Sequence, residues 1–144
     1  MYKKKILIGE LSKQTEVPTK TIRYYEDFGL LSRPKRTNSQ YRLYTQQDIE
    51  KLLFIKRAKG LGLKLSEIKR IISTSRRGLE PCCCVVRGLF SQKIKEYEAN
   101  IKELTGARNR LKERLKKWIK PKQAKKMKYT ICPQIEKEER RERI

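Results

Sequence analysis

The chain has 144 residues, with 38 Lys and Arg against 16 Asp and Glu, no histidine, four cysteines and a formal net charge of +22. This length suits one domain or a small domain with an extension, and 38% charged against 37% hydrophobic residues favours a modest core with a long solvated element. No run of eighteen apolar residues exists and the apolar stretch Ile6 to Ile8 is too short for a signal peptide, so neither a membrane span nor a secretory leader is expected.

The cysteine count and the charge indicate a compartment and a class of partner. We expect a cytoplasmic protein, because four cysteines are too few for a disulfide scaffold and a reducing compartment disfavours disulfides. A charge of +22 repels itself, and its usual reason is a polyanionic partner, since each neutralised phosphate releases counterions. Charge alone does not distinguish DNA from RNA or anionic lipid.

The first two predicted elements are short helices joined by a tight turn. Pro18 ends the first helix, and the second begins at once with Thr19 as its N-cap and closes at Gly29. The apolar anchors of the two helices are Ile8, Leu11, Val17, Ile22, Tyr25 and Phe28. Such a pair is a helix-turn-helix, and its second helix is a candidate for the major groove of DNA.

A two-stranded hairpin, or wing, is predicted next. Pro34 and the polar run at 37–40 predict a loop, and QYRLY alternates, with Tyr41 and Leu43 on the face opposite Arg42 and Tyr44. Basic side chains surround this hairpin at Arg33, Lys35, Arg36 and Arg42.

Two more helices follow the wing. Thr45 and Asp48 have the spacing of a capping box, and Gly60 and Gly62 end the helix that they begin. Ser66 is the expected cap of the next, short helix. The apolar positions that these helices would bury include Ile49, Leu52, Leu53, Ile68, Ile71 and Ile72.

A single long helix is predicted from Val85 to about Lys120, and its 36 residues would extend about 50 Å at ~1.5 Å per residue. Arg108 is the polar exception in its heptad seam, which consists of Ile94, Tyr97, Ile101, Leu104, Leu111, Leu115 and Trp118. A small monomer cannot cover so long a seam, which favours a coiled-coil dimer over a helix folded back on its own domain. Pro121 should end the helix before a basic loop closed by Pro133 and a frayed or shortly helical tail, EKEERRERI.

The order of these segments resembles one protein family. IGELSKQTEVPTKTIRYYEDFGLL, a wing ending in YRLY, and DIEKLLFIKRAKGLGLKLSEIKRII look like the DNA-binding domain of MerR-type transcription regulators. The resemblance implies a mainly α homodimer with an antiparallel coiled coil. No enzymatic activity is expected, because the chain has no histidine, no glycine-rich phosphate loop and no convergent acid pair. The resemblance also implies promoter DNA with an over-long spacer, which the effector-bound dimer bends and untwists so that RNA polymerase, reached through the DNA, can engage.

The resemblance further implies a division into a winged helix-turn-helix domain (1–75), a hinge and dimerisation helix (76–120), and an effector loop with a charged tail (121–144). By the same resemblance, the residues expected to contact DNA are Thr19, Lys20, Arg23, Tyr24, Tyr41, Arg42, Lys56 and Arg57. Arg23 is the candidate for a guanine edge, and Tyr41 with Arg42 for phosphate. Many relatives have glycine before the wing Tyr-Arg pair, whereas this chain has Gln40, which leaves the form of the turn open.

The cysteines lie at positions that resemble the metal-ligand positions in the metal-sensing branch of that family. In that branch one ligand lies at the start of the dimerisation helix and others lie in the loop after it. In an antiparallel pair these two places meet across the dimer. The resemblance therefore implies a metal site made by Cys82 and Cys83, with Cys84 as a possible addition, and the partner subunit's Cys132. An all-thiol set without histidine selects soft ions such as Hg(II), Cu(I), Zn(II) or Cd(II).

The chain departs from that branch in its loop, where relatives have two cysteines and this chain has only Cys132, with Trp118 nearby. Neighbouring helical residues diverge by about 100°, so one or two of the three cysteines should face the loop, Cys82 and Cys83 first, while Cys84 packs in the interface. Buried packing of all three remains an alternative. A thiol redox or electrophile sensor and an effector-independent architectural DNA-binding protein are the other functions left open.

Overall fold

The computed structural model describes residues 4–136, and within that range it contains seven helices and three short strands. In chain order these are β1 (Ile6–Leu7), α1 (Ile8–Thr15), α2 (Thr19–Phe28), β2 (Lys35–Arg36), β3 (Arg42–Tyr44), α3 (Gln46–Gly60), α4 (Leu65–Ser75), α5 (Leu79–Lys116), α6 (Pro121–Ala124) and α7 (Pro133–Glu136). The mainly helical fold with a winged helix-turn-helix is confirmed. No helix in the described range is long and apolar enough to cross a membrane. The prediction for the charged tail falls on 137–144, outside the described residues.

The wing belongs to a three-stranded antiparallel sheet in the order β1-β3-β2, and not to a two-stranded hairpin as predicted. Ile6 is opposite Tyr44 in the added pairing. Arg36 is opposite Arg42 in the predicted one. The sequence did not indicate β1 because two residues are too few to display an alternating pattern.

Two predicted helix caps are wrong. The N-cap of α2 is Pro18, with Thr19 already inside the helix, and the N-cap of α4 is Lys64, with Ser66 in the first turn. At α4 the capping is done from within the helix, because the Lys64 backbone N–H donates to the Glu67 carboxylate over 2.7 Å. At α3 the predicted box is confirmed, and the Thr45 N–H donates to the Asp48 carboxylate over 2.7 Å.

The core lies among α1 to α4 and the sheet. Its most completely buried apolar side chains are Leu11, Ile22, Leu52, Ile55 and Ile68. Tyr25 and Phe28 are half-buried against it, as their helical spacing predicted. At the end of α2, Gly29 adopts a φ of +85°, a left-handed conformation that favours glycine, and this confirms the predicted helix end.

Helix α5 begins at Leu79 instead of Val85 and ends at Lys116 instead of Lys120. Pro81 lies in the first turn, where its missing N–H costs no intrahelical hydrogen bond. Pro121 therefore does not end α5 but begins α6. The cysteine run consequently lies within the first turns of the long helix. The chain divides into two compact units, 1–93 and 94–144.

The wing turn places a non-glycine residue in a left-handed conformation. The Thr37 N–H donates to the Tyr41 carbonyl over 2.8 Å, and the Gln40 N–H donates to the Thr37 carbonyl over 2.9 Å. Gln40 then has a φ of +65°. A tight turn followed by one left-handed residue is where hairpins commonly place glycine, so Gln40 retains the turn at a conformational cost.

The substitution Gln40→Gly should raise the free energy of unfolding by up to about 1 kcal/mol. The left-handed penalty of roughly 1–2 kcal/mol is removed, and the greater freedom of glycine in the unfolded chain offsets part of the gain. Urea denaturation at one fixed protein concentration measures the change. Gln40→Ala, which retains a Cβ, is the matched control and should give no gain; equal stabilisation by both variants would contradict a conformational origin.

Candidate nucleic-acid interface and thiol site

One face of α2 presents the predicted recognition residues to solvent while the opposite face is anchored in the core. Lys20, Arg23 and Tyr24 are exposed, Thr19 is half-exposed, and Ile22 between them is fully buried. The Tyr24 ring lies 6.2 Å from the Phe28 ring, centroid to centroid, and is tilted against it. A rigid helix with a basic, partly aromatic outer face is suited to enter a major groove.

The wing presents Tyr41 and Arg42 beside that helix. The Tyr41 side chain is 64% exposed, whereas Arg42 is held, with its Nε 3.2 Å from the Glu26 carboxylate. The Tyr44 hydroxyl donates a hydrogen bond to the same carboxylate. Burial first, and then the hydrogen bond to Glu26, raises the pKa of Tyr44 well above its usual range. Tyr44 therefore remains a hydrogen-bond donor at any working pH.

Lys56 and Arg57 lie near the end of α3, and both are exposed. Lys56 Nζ donates to the Thr15 carbonyl over 3.3 Å and lies 3.3 Å from the Glu16 carboxylate, in the turn between α1 and α2. An ion pair this exposed contributes little stability, so a phosphate can replace it at small cost. This contact links α3 to the helix-turn-helix and was not apparent from the sequence.

The three adjacent cysteines have different surroundings. Cys82 is half-buried and packs with Val85 and Leu89 against the core of the N-terminal unit. It lines a hollow of about 530 Å³ together with Phe54 and Ile71. Cys83 and Cys84 are exposed. The expectation that Cys82 and Cys83 face the partner's loop stays a prediction, and within one chain Cys83 is the more exposed of the two.

Cys83 is in phase with the heptad seam of α5. Residues at intervals of seven from it are apolar and exposed: Phe90, Tyr97, Leu104 and Leu111. The other seam positions, Ile94, Ile101 and Leu115, are each more than half exposed. Cys83 therefore shares the helix face that one chain leaves uncovered. A helix that begins at Leu79 extends the heptad pattern back to Cys83.

Cys132 lies in a loop of the C-terminal unit that is organised by one carboxylate. The Glu136 carboxylate accepts backbone N–H groups from Thr130 at 2.8 Å, Ile131 at 3.1 Å and Cys132 at 2.7 Å. The donors from Thr130 and Ile131 contribute most to lowering the pKa of Glu136. Sequence reasoning missed this residue, although its place four residues after Cys132, in the helix begun by Pro133, was a usable signal.

A side-chain amide attaches the same loop to the segment that follows α5. Gln134 Nε2 donates to the Ile119 carbonyl over 2.6 Å, and the Ile119 N–H donates to Gln134 Oε1 over 3.1 Å. Both ends of the amide are satisfied by one residue, which fixes α7 beside residue 119. Within the described residues of one chain, no three Cys, Asp or Glu side chains come together as a metal site.

Two family models match the chain. Residues 6–75 match the model described as "MerR HTH family regulatory protein", and residues 49–114 match the model described as "MerR, DNA binding". The HTH-type transcriptional regulator HmrR of Rhizobium leguminosarum bv. viciae is 38% identical over 104 residues, which cover 72% of this chain and 79% of that protein.

Two crystal structures of metal complexes are similar to the chain. PbrR691 from Ralstonia metallidurans CH34 in complex with lead(II) has 31% identity and a TM-score of 0.69, over 77% of this chain and 86% of that chain. The dual-function regulator MerR from Bacillus megaterium MB1 in complex with mercury(II) has 31% identity and a TM-score of 0.61, over 81% of this chain and 90% of that chain.

The substitution Glu136→Gln should loosen the Cys132 loop, because an amide offers one acceptor oxygen in place of two. Amide hydrogen exchange at Thr130, Ile131 and Cys132 should accelerate at neutral pH. In the wild type the same contacts are complete above the ordinary Glu pKa of 4.5 and are lost as the pH falls through the lowered pKa of Glu136. The Cys132 amide resonance should therefore titrate with a midpoint below 4.5.

Glu113→Gln is the matched control for this loop, since the Glu113 carboxylate pairs with Lys116 at 3.2 Å on an exposed part of α5. Amide exchange in the loop should not change in that variant. Slow exchange that persists in Glu136→Gln would show that the carboxylate does not organise the loop.

Proposed function

This chain belongs to the MerR family of DNA-binding transcriptional regulators, and from that premise we propose that it works as a homodimer gated by a soft metal ion. The ion is bound by thiols from both subunits, and its binding distorts the promoter DNA. The observation that carries the proposal is the phase of α5, which puts Cys83 on the same uncovered face as the apolar seam.

The seam supports a second copy of the chain as its partner. Its aliphatic and aromatic side chains are about half or more exposed, and fully burying one such side chain stabilises by roughly 1.5–3 kcal/mol. In an antiparallel pair related by a two-fold axis, the seam of each copy packs against the seam of the other. The same surface patch therefore covers the seam in both subunits. RNA polymerase is then reached through the DNA that the dimer holds.

The thiols support a soft metal as the effector. In an antiparallel pair the start of one α5 approaches the end of the other, which brings Cys83 toward the partner subunit's Cys132. Thiolates without histidine select Hg(II), Cu(I), Zn(II) or Cd(II), and two similar proteins were crystallised with lead(II) and mercury(II). Cys84, exposed, or Cys82, half-buried, would supply any third thiol.

The connection to DNA runs through the first turns of α5. Cys82, Val85 and Leu89 pack against the core that carries the recognition helix, and Cys83 is the next residue after Cys82. A metal that draws on Cys83 therefore acts on a helix turn that is also part of the DNA-binding domain. A change in the tilt of that turn would be transmitted to the recognition helix and the wing, which hold the DNA while it is bent and untwisted.

A thiol redox or electrophile sensor is the second candidate, and the exposed free thiols of Cys83 and Cys84 favour it. It predicts a disulfide between Cys83 and the partner subunit's Cys132 after mild oxidation, seen as a covalent dimer in non-reducing gels, and no metal in reduced protein. An effector-independent architectural protein is favoured by the charge of +22 and by the absence of a second cysteine from the loop sequence. It predicts that replacing all three adjacent cysteines by serine leaves promoter output unchanged.

Replacing the wing arginine Arg42 and the α2 arginine Arg23 by alanine should affect DNA binding in different ways. Arg42→Ala should weaken binding to every DNA sequence and reduce the salt slope of log Kobs by about 0.9, because one phosphate contact is lost. Arg23→Ala should cost roughly 1–3 kcal/mol on the specific promoter and little on random DNA, because a base contact is lost. Fluorescence anisotropy across a salt series measures both, and equal losses on both DNAs for Arg23→Ala would reject base reading.

Metal affinity should distinguish Cys83 and Cys132 from the neighbouring thiol of Cys84. Anaerobically purified Cys83→Ser and Cys132→Ser proteins should each bind Hg(II) or Cu(I) at least roughly 10-fold more weakly than wild type, since a direct ligand is lost. Cys84→Ser, the neighbouring exposed thiol, is the matched control and should lose less. Competition with a chromophoric chelator measures the affinities, and wild-type affinity in Cys83→Ser would contradict the proposed ligand set.

A further inference from the structure

We propose that Glu26 is a positioning residue of the DNA-binding surface, whose carboxylate holds the wing arginine Arg42 in the orientation that contacts phosphate. This inference rests on the proposed contact between Arg42 and DNA. Glu26 lies on α2, the recognition helix, and not on the wing, so it joins the two parts of the surface that must engage the duplex together.

Glu26 is unusually well covered for a carboxylate at such a surface. Its side chain is only 6% exposed, and it has two partners: an ion pair with Arg42 Nε at 3.2 Å and a hydrogen bond from the Tyr44 hydroxyl. A carboxylate removed from water is tolerated only when its lone pairs are satisfied. The Arg42 and Tyr44 contacts are therefore conditions for placing Glu26 there, and the three side chains form one unit.

The geometry of β3 explains why one carboxylate can control the wing. Arg42 and Tyr44 are two residues apart on an extended strand, so their side chains leave the same face. Tyr44 is buried and fixes the inner end of β3, while Arg42 keeps 29% of its side chain exposed. Because Glu26 uses the Nε of Arg42, the two terminal nitrogens of the guanidinium remain for a phosphate.

The space between α2 and the wing is a charged cleft of about 290 Å³. Two carboxylates, Glu26 and Asp27, and three guanidinium groups, Arg33, Arg36 and Arg42, line it. Asp27 is exposed. The cleft thus contains two neighbouring acids of equal charge, one of which is buried against Arg42 while the other faces water.

The positioning role and plain electrostatics predict opposite signs. A carboxylate near DNA repels phosphate, so removing its charge should strengthen binding if charge alone matters. If Glu26 instead orients Arg42, its removal should weaken binding and should also remove a phosphate contact from the salt dependence. A merely structural role would lower the melting temperature without changing the salt slope.

The test is a salt series of anisotropy measurements with full-length protein on random-sequence duplex DNA, using Glu26→Leu, Asp27→Asn, Arg42→Ala and the Glu26→Leu/Arg42→Ala double variant. Glu26→Leu should lose at least half of the fold-affinity lost by Arg42→Ala and should lower the salt slope by up to about 0.9. Asp27→Asn should bind as tightly as wild type or more tightly. In the Arg42→Ala background, Glu26→Leu should no longer lower the slope.

Binding by Glu26→Leu that equals or exceeds that of wild type, with Arg42→Ala impaired, would overturn the positioning role and leave the DNA contact standing. An Arg42→Ala variant that binds like wild type would instead remove the proposed DNA contact itself. If Glu26→Leu does not fold, Glu26→Asp retains the charge and withdraws the carboxylate by one methylene. It should lower the slope, and a wild-type slope in that folded variant overturns the inference.

Discussion

The apolar seam on α5 is the constraint on which the proposed mechanism depends. One chain leaves this seam exposed along most of its length, so the helix needs an apolar partner surface of the same length. A second copy meets that need and, in the antiparallel arrangement, also places the start of one helix near the end of the other. The proposed thiol site would follow from this dimerisation, because Cys83 has the heptad position of the seam and Cys132 comes after α5 in the chain.

Adjacent residues in the cysteine run lie on different faces of α5, because a helix turns by about 100° per residue. Cys82 packs against the core of its own DNA-binding unit, whereas Cys83 points along the uncovered face. A single helical turn thus belongs both to the domain that we propose holds DNA and to the surface that we propose meets the partner. This is the physical basis for proposing that metal binding changes the grip on DNA.

Periodicity was enough to predict the helices of the N-terminal unit, and Gly29 marked the end of α2 because the left-handed conformation there suits glycine. The predicted start of α5 at Val85 is wrong, since the helix begins at Leu79 and its first turn tolerates Pro81. The contact between Glu26 and Tyr44 could not be predicted, because it joins residues 18 apart through tertiary packing and no local pattern encodes it. The same holds for the three N–H groups that Glu136 gathers.

We propose that each thiol site takes ligands from both subunits, and a mixed dimer tests this most directly. One subunit carries Cys83→Ser and the other carries Cys132→Ser, and two different affinity tags isolate the heterodimer. Shared sites predict one tightly bound Hg(II) per heterodimer, because one Cys83 still faces one intact Cys132 across the interface. Sites contained within single subunits predict none, and a heterodimer without tightly bound metal would contradict the account.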